Sequence, residues 1–202
     1  MRRALAAVSA VSASLASSTL LDLKPVPLLG GSADWNFGRW AAVTDKVRGG
    51  VSTAELSPGA DGAARFLGNL DPSKLNAGFA GVNLEVDLLP ASLAELSGLQ
   101  LEVLDADGKE YTLLLKMKNG ASGSSYQVRF VPRPQEPYTA SFRDFVGYYR
   151  GRPDPQAAPL QLSEVKTLAL QIASNFTQQK GPFQLELQAI TGIQNADASV
   201  AV

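Results

Sequence analysis

A two-residue alternation of apolar and polar or small side chains constrains the fold of this chain more than any other feature. It is clearest in Leu99–Val103, Tyr126–Phe130, Leu168–Ile172 and Phe183–Ala189. This spacing buries one face of a strand and leaves the other in water, which is typical of antiparallel sheets. Long helical patterns are not found beside it. We therefore predict an all-β protein, an antiparallel β-sandwich or jelly roll.

Turn sequences separate these strands. Asp107–Gly108 predicts a tight hairpin turn, and Asn119–Gly120 predicts a further turn. The least regular segment is 132–159, which holds six prolines and five aromatic residues. Proline disfavours central strands, so we interpret this segment as a long loop whose aromatic side chains pin it onto the sandwich.

The chain divides unevenly into three parts. Its 202 residues suffice for one domain with a sizeable core. Residues 1–27 begin with Arg2 and Arg3, are rich in Ala and Ser, and hold no acidic residue before Asp22. This composition favours a targeting segment over an untargeted extension, and its serines disfavour a membrane-spanning helix. We predict an N-terminal extension at 1–27, a single β-sandwich domain at 28–195 and a tail at 196–202.

Composition excludes many functions. The chain has no Cys and no His, which rules out disulfides, thiolate nucleophiles, zinc fingers and a Ser-His-Asp triad. Its net charge of -1 and its scattered basic residues give no reason to expect a nucleic-acid partner. We predict no cofactor and no metal. A hydrolase that uses two carboxylates, with Asp45 and Asp107 as candidate acids, remains an open alternative.

The segment from Asp45 to Ser52 contains two adjacent glycines, Gly49 and Gly50, beside charged residues. One interpretation is a tight turn in which Asp45 or Ser52 accepts hydrogen bonds from backbone amides. The other is a binding rim on which Arg48 offers its guanidinium to a carboxylate or phosphate. The first interpretation is favoured, because a fold and a binding site need separate evidence.

Three further groups of residues invite a functional interpretation. Tyr148, Tyr149, Arg150 and Arg152 form a basic and aromatic patch of the kind found at protein interfaces. Acidic residues around one predicted turn form a conceivable calcium site, although a turn alone is the favoured interpretation. These residues are Asp105, Asp107 and Glu110. The tryptophans, Trp35 and Trp40, are expected in the core more than on a sugar platform.

The order of several motifs resembles one known family. Trp40 followed by Asp45-x-Val47-x-Gly49-Gly50-x-Ser52 is similar to the signature of the complex I intermediate-associated protein 30 family. Many members carry Met where Arg48 stands. Further matches, in chain order, are Phe66–Asn69, Gly78–Ala80, Leu101–Val103, Asp107–Tyr111, Phe142 with Phe145, Arg150–Arg152, Gly181–Leu185 and Ile190.

The resemblance implies a galactose-binding-domain-like sandwich and a non-enzymatic, chaperone-like assembly factor of mitochondrial respiratory complex I. Its implied partners are protein subunits of the assembling complex, to which it would bind peripherally, without an integral membrane segment. A plastid, cytosolic or secreted location is the alternative to a mitochondrial one. The residues that we predict to bind a partner are Asp45, Arg48, Gly49, Gly50, Ser52, Tyr148, Tyr149, Arg150 and Arg152. The alternative function is a carbohydrate-binding module, which would need exposed Trp or Tyr side chains along a groove.

Overall fold

The computed structural model describes residues 25–118, 124–175 and 178–194, which form two antiparallel sheets packed face to face. Sheet A contains β1 (Val26–Gly30), β3 (Thr53–Pro58), β4 (Ala64–Leu70), β6 (Leu96–Ala106), β9 (Tyr138–Ser141) and β13 (Gly181–Gln194). Sheet B contains β2 (Ala41–Thr44), β5 (Phe79–Glu85), β7 (Tyr111–Met117), β8 (Ser125–Phe130), β10 (Val146–Tyr149), β11 (Arg152–Pro153) and β12 (Val165–Ala173). The predicted β-sandwich is therefore confirmed.

The strand order places distant parts of the chain side by side. Sheet A runs β3-β4-β13-β6-β9, with β1 also paired to β13, and sheet B runs β11-β10-β8-β7-β12-β5-β2. Short 3-10 helices connect the strands at Phe37–Arg39, Asp45–Arg48, Ala60–Gly62, Val86–Leu88, Leu93–Glu95, Phe142–Asp144 and Leu162–Glu164. Within the described residues, no helix has the length and apolar character to cross a membrane.

The core lies between the two sheets, where the alternating residues place their apolar side chains. Leu113 of β7 and Leu170 of β12 are fully buried, as is Leu101 of β6 on the facing sheet. Burying one such side chain contributes about 2 kcal/mol. The ring of Phe66 lies 5.0 Å from that of Phe183, so aromatic packing adds to the aliphatic core.

The turn at Asp107–Gly108 is not the hairpin turn that the sequence predicts. β6 before it pairs with β13 and β9 in sheet A, whereas β7 after it pairs with β12 and β8 in sheet B. The turn therefore carries the chain from one sheet to the other. Local turn chemistry specifies the reversal, but long-range pairing decides which strands become neighbours. The predicted turn at residues 119–120 lies outside the described residues.

The segment 132–159 is more ordered than a long loop. It contributes β9 to the edge of sheet A, and β10 and β11 to the edge of sheet B. Proline is compatible with this arrangement because edge strands need fewer ladder hydrogen bonds. The side chains of Phe142 and Phe145 are buried against the core, as predicted for the aromatic residues of this segment, whereas Tyr149 is exposed.

β1 begins at Val26, two residues before the start that the sequence predicts for the domain. Pro27 lies within this strand, opposite Thr191 of β13. Residues 1–24 and 195–202 are outside the described residues, so the predicted targeting segment and tail fall almost wholly there.

Candidate functional site

The loop between β2 and β3 contains the Asp45–Ser52 segment, which we call the Gly-Gly loop (residues 45–52). β2 ends at Thr44, whose Oγ1 accepts a hydrogen bond from the backbone N–H of Lys46 at 3.4 Å. A short 3-10 helix, Asp45–Arg48, follows, and Gly49 caps its end with a φ of +86°. Glycine adopts this left-handed angle without steric cost, which explains its place at the end of the helix.

The carboxylate of Asp45 holds the loop together from the inside. Its side chain is fully buried. Oδ1 accepts a hydrogen bond from the backbone N–H of Ser52 at 3.0 Å, and Oδ2 accepts one from the Ser52 hydroxyl at 2.6 Å. Oδ2 also accepts one from the backbone N–H of Phe79 at 3.3 Å. A buried charge with three donors is satisfied, so this carboxylate anchors the loop to the start of β5.

Ser52 extends the same network to a third segment. It is fully buried, and its hydroxyl oxygen accepts a hydrogen bond from the backbone N–H of Asp71 at 3.0 Å. Gly50 is required beside it for space: a Cβ atom there would lie 2.3 Å from Cγ of Asp45. Asp45, Gly50 and Ser52 therefore serve the fold, as the favoured interpretation of the sequence holds. The partner-binding role also predicted for them remains a prediction.

The outer part of the Gly-Gly loop faces solvent. Val47 is 76% exposed and Val51 is 40% exposed, and both neighbours of Val47, Lys46 and Arg48, are exposed as well. The guanidinium of Arg48 lies 5.3 Å from the ring centroid of Phe79, a cation–π contact that steadies it. The loop thus presents an apolar tip between two cations.

Of these exposed residues, the sequence interpretation identified Arg48 and missed Lys46, Val47 and Val51. The sequence does contain a signal that Val47 is exposed. Val47 stands between two basic residues and shortly before two glycines, where no alternating pattern directs its side chain into a core. A single exposed valine is ordinary, but one held at the tip of a fixed loop is a candidate contact.

The predicted patch at residues 148–152 forms a tight hairpin between β10 and β11. Arg150 (φ +50°) and Gly151 (φ +78°) both adopt left-handed angles, as a two-residue hairpin turn of the primed type requires. Tyr149 is 42% exposed, and the Arg150 guanidinium lies 5.1 Å from its ring centroid. Tyr148 is half-buried beneath Arg129 at 5.4 Å, and Arg152 is exposed.

These two candidate surfaces do not form one site. The hairpin lies at the β11 edge of sheet B, and the Gly-Gly loop follows β2 at the opposite edge. Five strand spacings separate β10 from β2, which corresponds to about 24 Å. A single small ligand cannot touch both surfaces, whereas a protein partner can.

The acidic residues around the Asp107 turn have separate partners. Asp107 accepts hydrogen bonds from Lys109 and from the hydroxyl of Tyr111, and Glu110 pairs with Arg129 and Asn175. Burial pushes the pKa of Asp107 upward, but hydrogen bonds from Lys109, Gln184 and Tyr111 outweigh it and hold the pKa below its usual value. Among the described residues, no group of three Asp, Glu, His or Cys side chains is placed to hold a metal ion.

The two tryptophans use their indole N–H groups within the fold. Trp35 is 3% exposed and donates to the carbonyl of Gly62 at 3.1 Å. Trp40 is half-buried and donates to the carbonyl of Trp35 at 2.8 Å. Trp35 is thus a core residue, as the sequence predicts, and Trp40 packs against the core.

Two surface depressions of about 240 and 320 Å³ share no lining residue with either candidate surface. The smaller is lined by Val131, Pro132, Arg133, Glu136, Pro137 and Tyr138. The larger is lined by Val86, Asp87, Lys118, Ser163, Glu164, Val165 and Lys166. Neither contains a residue that the sequence predicts to bind a partner.

Solved structures with the same architecture include family 11 carbohydrate-binding modules. The solution structure of one, CtCBM11, superposes with a TM-score of 0.55 and 13% identity, covering 87% of this chain and 98% of that one. A Clostridium thermocellum module in complex with a β-1,3-1,4-mixed-linked tetrasaccharide superposes with a TM-score of 0.51 and 14% identity, covering 85% and 98%. At this identity the likeness shows the fold alone, and it supports the galactose-binding-like sandwich.

Comparison of the sequence finds a relative of higher identity. The uncharacterized protein C9E9.15 of Schizosaccharomyces pombe is 30% identical over 181 residues, which cover 82% of this chain and 83% of that protein. The model of the family described as complex I intermediate-associated protein 30 matches residues 31–187, which include both candidate surfaces. The chain therefore belongs to the complex I intermediate-associated protein 30 family.

Proposed function

We propose that this protein is a non-enzymatic, chaperone-like factor that binds protein subunits of an assembling respiratory complex I in mitochondria. Membership of a family described by its association with complex I intermediates supports this proposal. Such a factor acts by binding one state of a subunit or subcomplex more tightly than the later, completed state. Later subunits then displace it.

The single observation that carries the proposal is the construction of the Gly-Gly loop. A fully buried carboxylate, Asp45, fixes the loop, while Val47 projects from it at 76% exposure with Arg48 beside it. A preorganised apolar tip flanked by cations suits protein recognition, because little conformational entropy is lost on binding. The hairpin at 148–152 is the second proposed contact.

The absence of enzymatic activity is part of the proposal. The chain contains no Cys or His, so acid–base chemistry would fall to carboxylates, Lys or Tyr. Asp45, a candidate acid in the hydrolase alternative, is fully buried and occupied by three hydrogen bonds. A substrate has no access to this carboxylate in the folded protein.

The test is purification of the tagged full-length protein from its own cells, with mass spectrometry of the bound proteins and of the N-terminus. A loop variant, Val47→Ser with Arg48→Ser, is compared with a control, Val131→Ser with Arg133→Ser. Val131 is 55% exposed and Arg133 is also exposed, so the control removes similar side chains elsewhere.

We expect complex I membrane-arm subunits with the wild type and the control, and about tenfold less with the loop variant. A processed N-terminus would support the mitochondrial location over a cytosolic one. Recovery of no respiratory subunit with the wild type would overturn the proposed function. Equal recovery of these subunits with the loop variant would show that the Gly-Gly loop is not part of the proposed contact.

Carbohydrate binding is the second candidate, favoured by one observation. Tyr149 is 42% exposed at the edge of sheet B, where a sugar ring can stack on an aromatic face, whereas Tyr148 is half-buried beneath Arg129. The tryptophans do not add to such a platform, because Trp35 is buried and Trp40 packs on the core. Calorimetric titration with the mixed-linked tetrasaccharide separates the candidates: we expect no binding, and saturable binding that Tyr149→Ser abolishes would favour the sugar.

A further inference from the structure

The hydrogen-bonding edge of β2 has no strand partner among the described residues. β2 pairs with β5 on one side, from Ala41 opposite Asn83 to Thr44 opposite Ala80, and it ends the strand order of sheet B. β3, the next strand in the chain, pairs with β4 in the other sheet. Ala41 and Ala42 are both exposed, although consecutive side chains point to opposite faces of a strand. The first half of β2 is thus open to solvent, whereas Val43 is half-buried and Thr44 is buried.

β2 is short, with four residues, but within the strand three features by which proteins protect an edge are missing. Its sequence, Ala-Ala-Val-Thr, contains no charge and no proline, and its pairing with β5 runs in continuous register without a bulge. The opposite edge of sheet B is different, because β11 has only two residues, Arg152 and Pro153. An unprotected edge accepts an additional strand from another chain.

Charge at the two ends of β2 decides what kind of chain fits. Arg39 is exposed before the strand, and Lys46 and Arg48 are exposed after it. The ion pairs among the described residues, Lys109–Asp107, Arg129–Glu110 and Arg133–Glu136, include none of these three cations. An incoming strand with acidic side chains can therefore pair with them.

The same charges argue against a second copy of this chain on the edge. Cations stand at both ends of β2, so antiparallel self-pairing would bring Arg39 of one copy toward Lys46 of the other. Parallel self-pairing would place identical cations side by side. Like charges that face each other across a strand pair are destabilising. An acidic partner is complementary, whereas a second copy is repelled.

We propose that the β2 edge binds an extended, acidic segment of a client protein as an additional strand of sheet B. Arg39, Lys46 and Arg48 pair with its carboxylates, and the exposed Val47 contacts an apolar side chain at its end. The inference rests on the proposed protein-binding function and specifies the chemistry of the bound segment: extended, acidic and free of proline.

The experiment uses the full-length protein and a short synthetic peptide of alternating glutamate and valine. A peptide of alternating lysine and valine is the matched control. Affinity is measured by fluorescence anisotropy, and the bound site by hydrogen–deuterium exchange. We expect the acidic peptide to bind and to slow exchange at residues 41–44, the lysine peptide not to bind, and Lys46→Glu with Arg48→Glu to weaken binding about tenfold.

Two proline variants separate edge pairing from simple charge attraction. Consecutive residues direct their N–H groups to opposite edges of a strand. Of the two variants Ala41→Pro and Ala42→Pro, one removes an amide N–H that faces solvent, and the other removes an amide N–H that is bonded to β5. We expect the first to keep wild-type stability but lose peptide binding, and the second to lose stability. Peptide binding without protection at residues 41–44, or wild-type binding by the stable proline variant, would overturn the inference.

Two further outcomes are decisive. A dimer in analytical ultracentrifugation that the stable proline variant dissociates would assign the edge to a second copy and overturn the inference. The purification experiment distinguishes a failure of the proposed function from a failure of this inference. A peptide that binds at β2 while no respiratory subunit co-purifies leaves the strand-addition site in place and removes complex I as the client.

Discussion

Ser52 binds both oxygens of the Asp45 carboxylate, through its backbone N–H at 3.0 Å and its hydroxyl at 2.6 Å. The two residues lie at opposite ends of the Gly-Gly loop, and this double contact closes it from the inside. The intervening residues can then expose Val47 and Arg48 without losing a defined conformation, since the loop is fixed by buried groups.

Replacing Asp45 by alanine is expected to destabilise the protein by about 3 kcal/mol, because it leaves buried donors of Ser52 and Phe79 without an acceptor. The exposed Asp87, changed to alanine, is the control and is expected to cost less than about 0.5 kcal/mol. Urea unfolding followed by tryptophan fluorescence measures both. Equal midpoints for the two variants would contradict the anchoring role of Asp45.

The two glycines of the loop are expected to respond differently to alanine. Gly50→Ala places a Cβ atom 2.3 Å from Cγ of Asp45 and should cost about 3 kcal/mol through overpacking. Gly49→Ala meets no atom within 4 Å and should cost only about 1 kcal/mol, for its left-handed φ of +86°. Gly49→Asn should cost less still, because Asn tolerates this region. Thermal unfolding gives the order, and a larger loss at Gly49 would refute it.

Asp107 is expected to make stability depend on acidity. Its pKa is below the ordinary 3.8, so the unfolded state binds the proton more tightly than the folded state. The stabilisation is complete above the unfolded-state pKa and is lost as the pH falls through the folded-state pKa. Asp107→Asn should therefore be less stable than wild type at about pH 5, with a smaller difference at about pH 2.

Urea midpoints of the two proteins at both pH values measure this effect. Asp71, whose pKa is lowered by hydrogen bonds with Ser73, is present in both proteins and cancels from the comparison. A difference that stays constant between the two pH values would show that Asp107 acts only as a hydrogen-bond acceptor, without a change in its protonation.

The hairpin at 148–152 offers an independent test of the second contact surface. Tyr149→Ser with Arg152→Ser removes two exposed side chains that lie opposite each other in the hairpin, and should leave the unfolding midpoint nearly unchanged. We expect co-purification of respiratory subunits to fall about threefold, since peripheral contacts contribute less than an anchored tip. Wild-type recovery would exclude the hairpin from the interface.

Most of the secondary structure follows from the sequence. The alternating runs at Leu99–Val103, Tyr126–Phe130 and Leu168–Ile172 became strands with their apolar residues directed into the core. The strands of segment 132–159 were harder to predict, because its prolines interrupt the alternating pattern. These short edge strands are stabilised by pairing with β6 and β8. Local pattern predicts a strand only where the strand is long enough to show it.

The sequence by itself determined the β-sandwich, the core residues of its alternating runs and its family, because a two-residue period and an ordered set of motifs are local properties. Only the tertiary structure decided that the Asp107 turn joins two sheets, that Asp45 faces inward, and that β2 ends a sheet with an open edge. Every residue except proline offers the same backbone hydrogen-bonding groups, so a strand's pattern specifies which face is buried but not which strand lies beside it.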